Sequence, residues 1–173
     1  MVVLRYKGSH GTTEGRYEEI VNKGFSCGDG RAGIGVYFWA EGPLYIELAR
    51  AWCRFKAKTG GYKQRHVIII VELEADEDET IDIEDMQIKN YIFYLSEKLG
   101  IDKDNDTGIS RVYDLLFDEW EKTRNRIVKM YKVRLAPPPN TGSFRYPMKL
   151  LGAPLCYVVR KAEIITVISV QHY

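Results

Sequence analysis

The residues best equipped for chemistry lie in three separate parts of the chain. His10-Gly11-Thr12 offers an imidazole, whose two ring nitrogens donate or accept hydrogen bonds according to tautomer. Phe25 to Gly35 reads FSCGDGRAGIG, and its four glycines give the main chain freedom to approach a ligand. Val36-Tyr37-Phe38-Trp39 follows with three aromatic faces. Gly28 to Gly33 spells GxGxxG, but it leads into a strand rather than opening a helix, so the loop is not read as a dinucleotide fingerprint; GxxxxGK(S/T) is absent, so it is not a P-loop either. The three cysteines, Cys27, Cys53 and Cys156, form no CxxC pair. That count argues against a disulfide framework and a structural zinc site, and for a reducing compartment. The acidic run Glu72 to Asp85 has the carboxylate density of a calcium loop but not its glycine or spacing.

These residues need elements to position them. Val2 to Tyr6 predicts a strand, and Lys7-Gly8-Ser9 a turn. A helix follows, capped by Thr12 or Thr13, with acids early in it and Gly24 ending it. Val36 to Trp39 is strand-like, and Leu44 to Lys56 has apolar residues at helical spacing. HVIIIVEL, His66 to Leu73, predicts a strand covered on both faces. Helices are expected near Met86–Leu99 and Ser110–Lys122, joined by a polar linker from Ile101 to Gly108. A strand is expected over Ile127–Ala136, stopped by Pro137-Pro138-Pro139. Leu155–Arg160 and Glu163–Val170 predict two final strands around a tight turn at Lys161-Ala162. The pattern is α+β, in one domain spanning residues 1–173, with no regular βαβ alternation.

The 173 residues, 45% hydrophobic, suffice for a core that buries roughly 70% of the surface the unfolded chain exposes. Lys and Arg number 25 against 24 Asp and Glu, which argues against a protein held to nucleic acid by net charge alone. No apolar run approaches the roughly 20 residues that span a bilayer, and the N-terminus lacks the apolar core of a signal peptide. A cytoplasmic protein, or one delivered into another cell's cytoplasm, is expected, with no membrane partner.

Three pieces of the sequence resemble the H-Y-E class of ADP-ribosyltransferases, the class of diphtheria-toxin-like toxins and poly- and mono-ADP-ribose polymerases. They are His10-Gly11-Thr12 after the first strand, Gly33-Ile34-Gly35-Val36-Tyr37-Phe38, similar to that family's G-x-G-(I/V)-Y-F segment, and the late strand Cys156-Tyr157-Val158-Val159-Arg160. The resemblance implies split mixed and antiparallel sheets around an NAD cleft, with helices at the flanks. It implies NAD as a substrate, no metal, and transfer of ADP-ribose to a macromolecular acceptor, protein or nucleic acid. Catalytic candidates are then His10, Tyr37, Cys156 and Glu163. Cofactor-binding candidates are Gly11, Thr12, Gly33, Gly35, Phe38, Tyr45 and Trp52. His10 would bond an adenosine-ribose hydroxyl, the Gly11 main chain the nicotinamide carboxamide, and Tyr37 would stack on the nicotinamide ring. Trp52, Tyr45 or Trp39 would form the opposite wall.

One departure stands out. Cys156 occupies the place of the family glutamate, which bonds the nicotinamide-ribose 2′-hydroxyl and steadies the ribosyl cation. A thiol carries no fixed negative charge at neutral pH unless its pKa is depressed. An acid elsewhere substitutes (Glu163, Asp118 and Glu119 are the candidates), or the acceptor's nucleophile assists, or the site is inactive. The arginine-modifying class is disfavoured, because the last third holds no S-T-S strand. The bare domain points to a toxin or effector, with an antitoxin or immunity protein as the partner such a role implies. The alternative is a catalytically inactive module that binds NAD, ADP-ribose or a partner protein. Phe144, Arg145 and Tyr146 are candidates for target recognition.

Overall fold

The computed structural model describes residues 2–139 and 144–173. Strand β1 (Val3–Thr13) leads into helix α1 (Glu14–Lys23), strand β2 (Val36–Ala40), helix α2 (Tyr45–Lys58) and strand β3 (His66–Asp76). Strand β4 (Thr80–Asp82) precedes helices α3 (Met86–Lys98) and α4 (Asp106–Arg124). Strand β5 (Met130–Arg134), the short helix α5 (Met148–Leu151), and strands β6 (Leu155–Val159) and β7 (Ile165–His172) complete the chain. The architecture is α+β. Among the described residues, no helix is long and apolar enough to cross a membrane.

The strands form one seven-stranded sheet in the order β4-β5-β6-β2-β1-β3-β7. The β4–β5 pair is parallel and every other pair antiparallel. Two separate sheets were expected; a narrow seam joins them instead. β1 pairs with β3 over its full length, Val3↔Asp76 through Thr13↔His66, but with β2 only at Gly8↔Ala40 and Ser9↔Trp39. Beyond Ser9 the two strands part, each held by its other neighbour.

The core has two parts, one on each face of the sheet. Ile68 and Ile70 pack with Leu48, Ala49, Phe117 and Tyr131 on one face, while Val67, Ile69, Val71 and Leu73 pack with Val36, Phe38 and Met130 on the other. This is why β3 is apolar at successive positions. Each of the Val, Leu, Ile, Phe and Met side chains among them contributes about 1.5–3 kcal/mol by leaving water.

Local signals set most boundaries. Thr13 caps α1 by accepting the Arg16 N–H, and Gly24, at φ +80°, ends it. Helix α4 starts at Asp106, not Ser110, because the Asn105 side chain accepts the N–H groups of Thr107 and Gly108. The expected turn at Lys7-Gly8-Ser9 is instead the middle of β1, where pairing with β3 outweighs local turn preference. β6 and β7 are not neighbours: a 3₁₀ turn, Ala162–Ile164, carries the chain to the opposite edge beside β3. Within the acidic run, Ile81 and Ile83 are buried where β4 pairs with β5. Of the proline-rich stretch, residues 140–143 lie outside the described residues.

Candidate functional site

The parting of β1 and β2 opens a cleft of about 1260 Å³. Its walls come from the end of β1, one side of α1, the glycine-rich loop, β2, the last turns of α2 and the first turn of α4. His10, Gly11, Thr12, Gly35, Tyr37, Trp52 and Cys156 all line it.

His10 sits where the ladder stops. Its Nδ1 lies 2.9 Å from the Tyr37 carbonyl oxygen. A carbonyl only accepts, so Nδ1 carries the proton, and Nε2 of the neutral ring is left as an acceptor. Burial holds the ring's pKa below the usual histidine value; the bond to Tyr37 opposes this and Arg16 adds to it. Phe25 packs edge-on at 5.9 Å and Phe38 at 5.6 Å.

Tyr37 approaches from the other face of the sheet, packed against the core part that contains Tyr131. Its hydroxyl accepts the Ala32 N–H at 3.0 Å and donates to the Gly33 carbonyl at 2.6 Å. The Tyr131 hydroxyl donates to the Ala32 carbonyl, and the Asp114 carboxylate accepts the Ile34 N–H. Gly28 and Gly35 exchange two main-chain bonds at 3.2 and 3.0 Å, closing the loop at its base. Gly30 rests directly on the Tyr37 ring: a β-carbon there would lie 2.3 Å from the phenol Cζ and Oη. The loop therefore folds over the ring, and the ring anchors the loop. Burial also pushes the Tyr37 pKa far above the usual phenol value, so the hydroxyl is neutral.

Gly11 has a packing reason to be glycine. A β-carbon there would meet the Ala49 carbonyl oxygen at 2.4 Å and Cys53 Sγ at 2.7 Å, so α2 is seated against β1 at this point. Its carbonyl accepts the Tyr62 hydroxyl at 3.4 Å. Trp52 faces the cleft beside Phe55, with ring centroids 5.8 Å apart, and Lys56 lies 4.8 Å over the Trp52 ring.

Other predicted residues fall outside the walls. Gly33 is buried behind the loop at φ +99°. Phe38 is fully buried beneath His10. Tyr45 packs at the start of α2, its carbonyl accepting the Ser9 hydroxyl at 2.7 Å. Glu163 is exposed on the turn before β7; Asp118 is exposed on α4, as is Glu119, which accepts the Tyr91 hydroxyl. None of these three acids is among the lining residues. Cys156, opposite Trp39 on β6, is almost wholly buried, and burial pushes its thiol up to about 12, against smaller opposing effects of Phe38 and Arg31. It is an uncharged wall residue at neutral pH.

The acids that do line the cleft are Glu19 on α1, Asp29 on the glycine-rich loop and Asp106 at the start of α4. Asp29 had a readable signal, since it lies inside the four-glycine stretch. Glu19 and Asp106 had none beyond their places in helices. No protein-family model matches the chain, and no curated protein matches it.

Proposed function

We propose that the chain is a mono-ADP-ribosyltransferase of the H-Y-E type, whose cleft takes NAD and whose nearly divided sheet is a joined form of that class's split sheets. One observation carries this reading: His10, from the first strand, and Tyr37, from the GIGVYF segment, line the same cleft at the point where their strands part. The cleft is also ample for a dinucleotide, since drug-sized ligands occupy roughly 300–1,000 Å³. The His10 Nε2 is free to accept a ribose hydroxyl, and the Tyr37 ring offers a face to the nicotinamide once Gly30 gives way.

The chemistry is a substitution at C1′ of the nicotinamide ribose. The C1′–N bond breaks with its electron pair moving to the pyridinium nitrogen, and neutral nicotinamide leaves. The acceptor's heteroatom bonds to C1′ and releases its proton to solvent. Positioning and stabilisation of the ribosyl cation are the protein's share. Cys156 supplies no charge for it. Asp29, next in sequence to the residue resting on Tyr37, is the cleft acid we assign to that task.

The test uses labelled NAD with a cell lysate and, separately, release of nicotinamide. Label transfer that disappears in His10→Ala and Tyr37→Ala, both folded, is the expected result. A folded wild-type protein that neither consumes NAD nor gains thermal stability from it would overturn the reading. The neutral Cys156 and the covered Tyr37 ring favour a second reading, an inactive binding module; it is identified by a melting temperature that rises with NAD while no nicotinamide is released.

A further inference from the structure

The charges of this nearly neutral chain are sorted by region. Between Glu47 and Glu72 there are six basic residues, Arg50, Arg54, Lys56, Lys58, Lys63 and Arg65, and no acid. From Glu72 to Asp85 there are nine acids and no Lys or Arg. A near-zero sum therefore conceals one strongly basic surface.

The fold concentrates that surface at the cleft. The segment after α2 lies along the start of α1: the Glu14 N–H donates to the Arg65 carbonyl at 3.0 Å and the Gly15 N–H to the Gln64 side chain at 3.0 Å. The Arg16 guanidinium lies 5.2 Å over the Tyr62 ring, and Lys56 lines the cleft. Arg16 and Lys56 thus line the cleft, and Lys58, Lys63 and Arg65 are exposed on the stretch of chain that runs from the end of α2 to the start of α1. Among the described residues, none of the five has a carboxylate within ion-pair distance, whereas Lys89, Lys103, Lys129 and Lys132 elsewhere each do. The acids of α1 are Glu14, which faces His172 at 3.7 Å, the exposed Glu18, and Glu19 on the wall. Beside the cations, the half-buried Phe55 ring lines the cleft. Unneutralised cations beside an aromatic ring that lines the cleft are what a single strand needs, with phosphates on the charges and a base on the ring. A peptide gains little from such a ring-and-cation rim unless it is acidic, and a duplex keeps its bases stacked away from it.

Building on the NAD reading of the cleft, we infer that the acceptor is single-stranded nucleic acid, seated on the basic rim formed by α1, the end of α2 and the segment after it, with Phe55 as its stacking face. A nucleophilic heteroatom of the strand takes the place of the generic acceptor: it bonds to C1′, nicotinamide departs with the C1′–N electron pair, and the displaced proton goes to solvent.

The experiment measures fluorescence anisotropy of a fluorescein-labelled 12-nucleotide single-stranded RNA, without NAD. Binding at 50 mM salt is expected, weakening roughly 50-fold by 200 mM if about four phosphates are engaged. Lys58→Glu/Lys63→Glu/Arg65→Glu, which leaves the cleft walls untouched, should bind at least tenfold more weakly, with a flatter salt dependence and unchanged nicotinamide release in water. Phe55→Leu should weaken binding with the salt dependence kept. Lys98→Glu/Lys103→Glu, at the end of α3 and in the linker after it, should bind as wild type. With labelled NAD added, label should move to the RNA. No RNA binding at 50 mM salt, a triple variant that binds as wild type, or label passing to protein while RNA stays unlabelled overturns the inference. RNA binding without any NAD consumption would leave the rim as a nucleic-acid surface and overturn the transferase reading instead.

Discussion

The His10 Nδ1 proton is shared with the Tyr37 carbonyl 2.9 Å away, so a side chain completes a strand pairing that the main chain has abandoned. Extending the register of Gly8↔Ala40 and Ser9↔Trp39 would set His10 opposite Phe38. Instead the strands separate, and the imidazole bridges the gap with Nε2 left over. A tautomer fixed by structure is the form in which a histidine serves a ligand as an acceptor.

That arrangement makes stability depend on pH. Burial resists protonation of the folded ring, while the unfolded ring titrates near about 6.5. The unfolded state binds the extra proton first, so stability is unaffected above this pH and declines as pH falls below it. Urea midpoints at pH 7.5 and 5.0 should differ more for wild type than for His10→Gln. His66, whose pKa is lowered in the same direction by burial, remains in both proteins and cancels from the comparison.

Tyr37 separates anchoring from stacking. Tyr37→Phe leaves the Ala32 N–H and Gly33 carbonyl without their partner and should cost about 1–3 kcal/mol in denaturant unfolding. The ring survives, so NAD turnover should fall far less than in Tyr37→Ala. Equal loss in both variants would show that the hydroxyl is the essential group.

Asp29→Asn should lower nicotinamide release at least a hundredfold with little change in NAD affinity, since electrostatic stabilisation of a developing charge is worth factors of this order. Glu19→Gln and Asp106→Asn should each change it less. Turnover unaltered by Asp29→Asn would move the role to one of the other two.

The thiols should react in an order set by exposure. Cys27 is exposed, whereas Cys53 and Cys156 are buried and burial pushes both up to about 12. Iodoacetamide at pH 8 should add one carbamidomethyl group to the folded protein, at Cys27, and three in denaturant, as read by mass spectrometry. Modification of Cys156 in the folded state would contradict its placement as a closed wall.

Gly11→Ala should destabilise by roughly 1–3 kcal/mol, because the added methyl meets a main-chain carbonyl that cannot turn aside. Thermal unfolding reads this directly. Full stability would mean that α2 can retreat from β1.

Much of this was legible in the sequence because local chemistry decided it. Thr13 and Gly24 bracket α1, and the β-branched run of β3 marks burial on both faces. The His10 and Tyr37 placements also followed from short motifs. What failed to read out was long-range. β1 runs through Gly8 and Ser9 because β3 lies beside it, and the adjacency expected of the last two strands was lost to edge pairing with β3. The cleft acids were missed for the same reason. Glu163 looked eligible on a strand expected to neighbour that of Cys156, yet the chain turns away there, while Glu19 and Asp106 arrive from helices remote in order.

The two residue pairs between β1 and β2 have a mechanical meaning. A sheet shears where it has fewest rungs, and here that line runs along the mouth of the cleft. Pulling the halves apart there would rupture little main-chain bonding, and it is side-chain packing that holds the seam where an incoming molecule gains access.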